Sequence, residues 1–141
     1  GLGDVYKRQI DDMLNDKIYK LNLNNETIYF PLWHRKNLIQ HPDQSNNILI
    51  VSEPDISQNI FISKNSDLFY SIKCDIRILF SNQFIDVNIG SKSFKINSNE
   101  ITLTNETQIK KFKNQGILKI NKENMFDQTK RGDIYIEITL F

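Results

Sequence analysis

The sequence predicts a mainly β protein, an antiparallel β-sandwich or barrel-like domain with one short helix. Three observations carry this expectation. Phe84-Ile-Asp-Val-Asn-Ile89 and Ile134-Tyr-Ile-Glu-Ile-Thr-Leu140 alternate with period two, the pattern of a strand with one buried face. The chain holds 22 isoleucines and no alanine. Isoleucine is stiff at its first side-chain torsion and suits a pleated surface, whereas alanine is the best helix former. Short polar turn clusters also separate the apolar runs. AT-rich coding sequence overproduces Ile, Asn and Lys as well, so composition leans towards β and the alternation carries the argument.

The elements follow in order. Gly1-Leu-Gly-Asp-Val-Tyr-Lys-Arg-Gln9 resembles translated sequencing-adapter read-through, and residues 1–9 are set aside as a probable-artefact leader. On that reading the frame is cut upstream, and the strand pattern running to Phe141 implies a cut downstream as well. Ile18–Leu23 and Thr27–Leu32 are β-prone runs joined by an Asn24-Asn25 turn. Residues 34–47 are polar, carry Pro42 and read as a loop. Ile48–Val51 is a buried-strand candidate, and Ser52–Ser66 a connector with a short strand at Ile60-Phe61-Ile62. The helix is expected around Ile76–Asn82. Beyond Phe84–Ile89, Gly90-Ser91 turns the chain, Phe94 and Ile96 resume the alternation, and Ile101 with Leu103 repeats it. Ile134–Leu140 closes the pattern.

Length and charge bound the function. A chain of 141 residues and 16.6 kDa makes one domain or two small ones. Its longest apolar runs, such as Ile48–Val51 and Ile78–Phe80, fall far short of the ~18–20 residues of a membrane helix. A net charge of +1 gives no whole-molecule attraction to nucleic acid or anionic lipid. The single cysteine, Cys74, makes no internal disulfide and no structural zinc site, which favours a reducing compartment.

The motifs are sparse. His41-Pro42-Asp43 is the tripeptide with which a J domain stimulates a DnaK-type ATPase, but β-prone Tyr29–Trp33 and Ile48–Val51 stand where flanking helices would be needed. It reads as a coincidental loop. His34 and His41 flank a basic stretch with only Asp43 as a further ligand, so surface or loop histidines are expected rather than a metal site. Cys74 has no histidine partner nearby and reads as a buried structural thiol. No nucleophile elbow or zinc-protease motif occurs, and five glycines are too few for a phosphate-cradling loop. Carboxylates are scattered and nothing pairs them for acid–base chemistry, although such pairs can lie far apart in sequence, so catalysis is unsupported and no catalytic residue is assigned. Residues 108–131 carry seven Lys/Arg against Glu123 and Asp127, with Phe112 and Phe126 interleaved. They form either a solvated face or a surface for single-stranded nucleic acid. Arg131-Gly132-Asp133 spells an integrin-type tripeptide, more simply a turn into the last strand. Asn25-Glu-Thr27 and Asn105-Glu-Thr107 are glycosylation acceptors only in a secreted chain.

Taken in order, several segments resemble the C-terminal β-domains of DnaJ co-chaperones. Asn65-Ser-Asp-Leu-Phe-Tyr70 is similar to the family's Asn-Asp-Leu-Tyr-Tyr strand, and Asp75-Ile-Arg-Ile-Leu-Phe80 sits where a strand leads into a short helix. Val87-Asn-Ile-Gly-Ser-Lys-Ser-Phe94 is similar to the Val-Pro-x-Leu-Asp-Gly-x-x-Leu hairpin. Thr107-Gln-Ile-Lys-Lys-Phe-Lys-Asn-Gln-Gly-Ile117 matches the Gly-Thr-Gln to Gly-x-Gly stretch. Lys130-Arg-Gly-Asp-Ile-Tyr-Ile136 resembles the Arg-Gly-Asp-Leu-x-Val start of the closing strand. Asn46–Val51 would be the last strand of a preceding domain, and Pro31-Leu-Trp-His34 resembles divergent DnaJ proteins of large DNA viruses. The family's Glu-Ala-Leu-x-Gly helix becomes Leu79-Phe-Ser-Asn-Gln83, without its Ala or Gly.

The resemblance implies a partial first β-domain over 17–56 and a second over 65–141. It implies a cytoplasmic, non-catalytic fragment that binds unfolded polypeptide clients and delivers them to a DnaK-type chaperone through other parts of the protein. No cofactor, metal or membrane is implied, and a dimer forms only if a further C-terminal segment is present. The resemblance assigns no groove residues, so the client-binding side chains are unknown at this point. The alternative is a basic β-module for single-stranded nucleic acid. A self-assembling structural sandwich is a third class.

Overall fold

The computed structural model describes residues 4–23, 25–34, 36–40, 47–55 and 58–141, with side-chain environments for 9–22, 25, 27–34 and 58–141. The chain divides into two compact units, Gly1–Ile56 with Ile117–Arg131, and Ser57–Gly116 with Gly132–Phe141. Both are built mainly of strands, as the alternation predicts.

The first unit holds β1 (Asp4–Gln9), α1 (Ile10–Leu14), β2 (Ile18–Leu23), β3 (Glu26–Pro31), β4 (Lys36–Gln40) and β5 (Asn47–Asp55). β2 and β3 form a hairpin from Ile18 opposite Pro31 to Leu23 opposite Glu26. Asn25 takes a left-handed φ of 65° in its turn, a conformation asparagine tolerates better than most residues. Tyr19 packs edge-on against its cross-strand partner Phe30, ring centroids 5.2 Å apart. Phe30 and Leu32 are buried, with Leu21, Ile28 and Met125 packed around them. Arg131 pairs with Asp16, its Nη1 donating to Oδ1 at 2.8 Å, and Leu118 bridges Arg131.

Two expectations change here, and a segment left out of the sequence reading gains a place. Residues 4–9 form β1, which runs parallel to β5 from Asp4 opposite Ile50 to Gln9 opposite Asp55. Lys36–Gln40, read as loop, is β4 and pairs antiparallel with β5. A polar strand escapes hydrophobic patterning when it occupies a sheet edge, where lysine and glutamine are common. β5 continues through Pro54 to Asp55, past the expected end at Val51. β4 stops opposite Val51, so Pro54 has a neighbour on one side only, a position proline accepts.

The second unit holds β6 (Ile60–Ile62), β7 (Leu68–Cys74), α2 (Ile76–Ser81), β8 (Phe84–Ile89), β9 (Lys92–Asn97), a 3₁₀ turn (Ser98–Glu100), β10 (Gln108–Phe112) and β11 (Ile134–Leu140). One sheet has the order β10-β11-β7-β6, and β8 with β9 makes a separate hairpin. Gly90 has φ 59° in the two-residue turn of that hairpin, the left-handed value such a turn favours. Ile85, Val87, Ile89, Phe94 and Ile96 on the hairpin and Leu68, Ile134, Ile136, Ile138 and Leu140 on the sheet are buried. The Phe94 ring meets Phe112 of β10 at 4.9 Å, so the hairpin covers the inner face of the sheet. α2 lies where the sequence places it. Asp75 caps it, Oδ1 accepting from the Arg77 amide at 2.9 Å.

The sheet is mixed rather than antiparallel. β11 runs parallel to β7, from Ile134 opposite Leu68 to Leu140 opposite Cys74. Side-chain alternation is the same whichever way the neighbouring strand runs, so the sequence pattern carries no direction. No sheet among the described residues closes into a barrel. Ile101 and Leu103 do not continue a strand either. Asn97 Oδ1 accepts from the Asn99 amide at 3.0 Å and starts the 3₁₀ turn, leaving Ile101 buried and Leu103 exposed. No helix among the described residues is long and apolar enough to cross a membrane.

Candidate functional site

The outer face of the four-stranded sheet collects side chains that the inner alternation leaves over. On β7 these are Phe69, Ser71 and Lys73, and on β11 they are Tyr135, Glu137 and Thr139, paired in that order by the parallel register. β10 adds Lys111 beside Tyr135 and Ile109 beside Glu137, and β6 adds Phe61 beside Phe69. One row therefore crosses all four strands. The Lys111 Nζ stands 5.7 Å from the Tyr135 ring centroid. Tyr135 and Phe69 stack at 4.8 Å with planes 9° apart, and Phe61 tilts against Phe69 at 6.0 Å. In the next row Ser71 Oγ donates to Glu137 Oε2 at 3.2 Å, and the Ser71 amide donates to the Asn59 carbonyl at 2.9 Å.

The two edges of the sheet differ. β10 carries Lys110 and Lys111, whose charges discourage another strand from pairing there. β6 is Ile-Phe-Ile, without a charge, and among the described residues hydrogen-bonds to β7 alone. Beside it Gln58, Asn59, Ile60, Phe61, Phe69, Ser71 and Glu137 line an open cavity of about 330 Å³. Phe61 is 64% exposed. A second cavity, of about 290 Å³, lies among Ile76, Leu103, Thr104, Asn105, Leu140 and Phe141. Near it α2 exposes Ile76, Ile78 and Phe80.

The residues singled out in the sequence have other fates. His34 is buried, not a surface group, and its ring lies edge-on to Trp33 at 6.1 Å. Pro31, Leu32 and Trp33 are buried with it, an unbroken buried run that replaces the alternation at the end of β3. His41 and Asp43 lie outside the described residues. Cys74 is buried, as expected, and burial, reinforced by the Asp75 charge, pushes its thiol pKa up.

The basic stretch is divided at Gly116, its first part in the second unit and Ile117–Arg131 in the first. Lys111 approaches Asp133 at 3.6 Å, Lys110 Nζ donates to the Glu100 carbonyl, and Arg131 is held by Asp16.

Arg131-Gly132-Asp133 is built into the fold rather than displayed. Asp133 Oδ1 accepts from the Asn114 amide at 2.8 Å, which, with the nearby Lys111 and Lys113 charges, holds its carboxyl below the usual range. The Asp133 amide donates to Asp67 Oδ1 at 2.7 Å.

The aromatic row was missed in the sequence because its members lie far apart. Phe69 and Tyr135 each occupy the outward phase of an alternating run, but only the β7–β11 register sets them side by side. No protein-family model matches the chain, and no curated protein is significantly similar to it.

Proposed function

We propose that the chain is a client-holding part of a DnaJ-like co-chaperone, acting without catalysis in a reducing, cytoplasmic setting. The observation that carries this reading is the β6 edge. It is uncharged, pairs on one side only among the described residues, and lies against a cavity lined in part by Phe61 and Phe69. An extended segment of an unfolded chain can add to such an edge through main-chain hydrogen bonds, which supply affinity without sequence selection, while its side chains alternate into the cavity. α2 exposes a separate apolar surface of Ile76, Ile78 and Phe80. Hand-over to a DnaK-type ATPase belongs to other parts of the protein.

Light scattering of a heat-denatured test protein is the direct test. The chain should suppress its aggregation, and Phe61→Lys, which charges the edge, should weaken that suppression without changing the far-ultraviolet circular dichroism. Unchanged aggregation in the presence of the wild-type chain would remove the reading.

Single-stranded nucleic acid is the second reading, favoured by Lys111 over the Tyr135 ring in a half-buried aromatic row. Against it, Asp133 shares the Lys111 charge and Glu137 projects from the same face. Oligonucleotide binding that falls steeply with added salt would favour it.

A further inference from the structure

We propose that the cavity beside β6 is a subsite for an arginine side chain of the bound segment. The inference rests on the client reading and adds a chemical preference to it. Three features point to a cation. Phe61, 64% exposed at the cavity, presents ring surface, whose negative quadrupole attracts a positive charge. Glu137 places its side-chain carboxylate at the cavity wall. Among the described residues no Lys or Arg lies within ion-pairing distance of that carboxylate, and its one hydrogen bond is the Ser71 hydroxyl at 3.2 Å. The site thus offers a carboxylate without an ion pair among the described residues, beside the exposed Phe61 ring.

A guanidinium suits this arrangement better than an ammonium. It is flat enough to lie on a phenyl ring while its edge donates two hydrogen bonds to one carboxylate.

The test uses two blocked pentapeptides, acetyl-Thr-Val-Arg-Val-Thr-amide and the same peptide with citrulline for arginine. Citrulline keeps the shape and loses the charge. Titration of the full chain, followed by amide shifts of Asn59, Ser71 and Glu137, should show the arginine peptide binding more tightly by on the order of tenfold. Glu137→Gln should bring the two peptides to the same affinity. Equal affinity of both peptides for the wild-type chain, or binding of neither, overturns the subsite. If aggregation suppression persists in that case, the client reading stands without it; if suppression is absent too, both fall.

Discussion

A β-carbon on Gly132 would lie 2.0 Å from the carbonyl oxygen of Ser66. The two backbones meet where β7 and β11 begin, and Ser66 itself takes a left-handed φ of 66° to make the approach. Glycine is required at position 132 because nothing larger than hydrogen fits against a main-chain oxygen.

Gly132→Ala should therefore destabilise the protein by about 3 kcal/mol or more, since relief needs backbone movement at the start of two paired strands. Thermal unfolding followed by circular dichroism measures this. As a control, Asn114→Gly, at a residue with φ 59°, should leave the melting temperature nearly unchanged. Equal melting of Gly132→Ala and the wild type would contradict the close approach.

The inner and outer faces of the sheet should respond differently to truncation. Ile136 is fully buried, and Ile136→Ala is expected to cost about 2–5 kcal/mol through lost burial and a residual cavity. Ile109 is 55% exposed on the outer face, and Ile109→Ala should stay within about 0.5 kcal/mol of wild type. Denaturant titration of the two variants separates them.

Hydrogen bonds from the Arg77 side chain, then from its amide, bring the Asp75 carboxyl down to about 2. A carboxyl depressed on folding contributes stability that is complete above its ordinary range near ~3.9 and is lost as pH falls through the folded value. Carbon-detected titration should find Asp75 ionised at pH 3, and Arg77→Gln should move its midpoint upward. In that variant, stability should fall less steeply between pH 4 and 2.

Cys74 should resist alkylation. Its thiol is buried and its pKa raised, so little thiolate forms and little reagent reaches it. Iodoacetamide at pH 8 should modify the folded protein far more slowly than the denatured chain, as intact-mass spectra would show. Equal rates would argue against the buried position.

Period-two alternation made β8, β9 and β11 legible at the sequence level because each has one face in the core, and a buried Ile at every second position leaves little doubt about phase. The turns at Asn25 and Gly90 were legible for a related reason, since few residues accept a left-handed φ. Strand direction and neighbour were not. Nothing within Leu68–Cys74 marks Ile134–Leu140 as its parallel partner, so the Phe69–Tyr135 stack and the Ser71–Glu137 contact had no local trace. The excursion of residues 117–131 into the first unit was equally silent, because Ile117 and Leu118 look like any short apolar pair. The Arg131-Gly132-Asp133 string illustrates the converse. Its recognisable spelling suggests an exposed ligand, while its residues serve an ion pair, a backbone crossing and a loop cap.

The parallel pairing of β7 with β11 also governs how the second unit is made. Ser71 and Glu137 face each other across 66 residues of chain, so the centre of the sheet depends on one of the longest loop closures the unit contains. On a ribosome β7 emerges early and waits for its main neighbour until Ile134–Leu140 have been synthesised. Through that interval one flank of β7 has no strand to pair with and its core-facing Leu68 lacks its β11 cover, a state open to aggregation. Folding of this unit should therefore be slow and late, and a nascent chain halted at Asp133 should be protease-sensitive from β7 to β10.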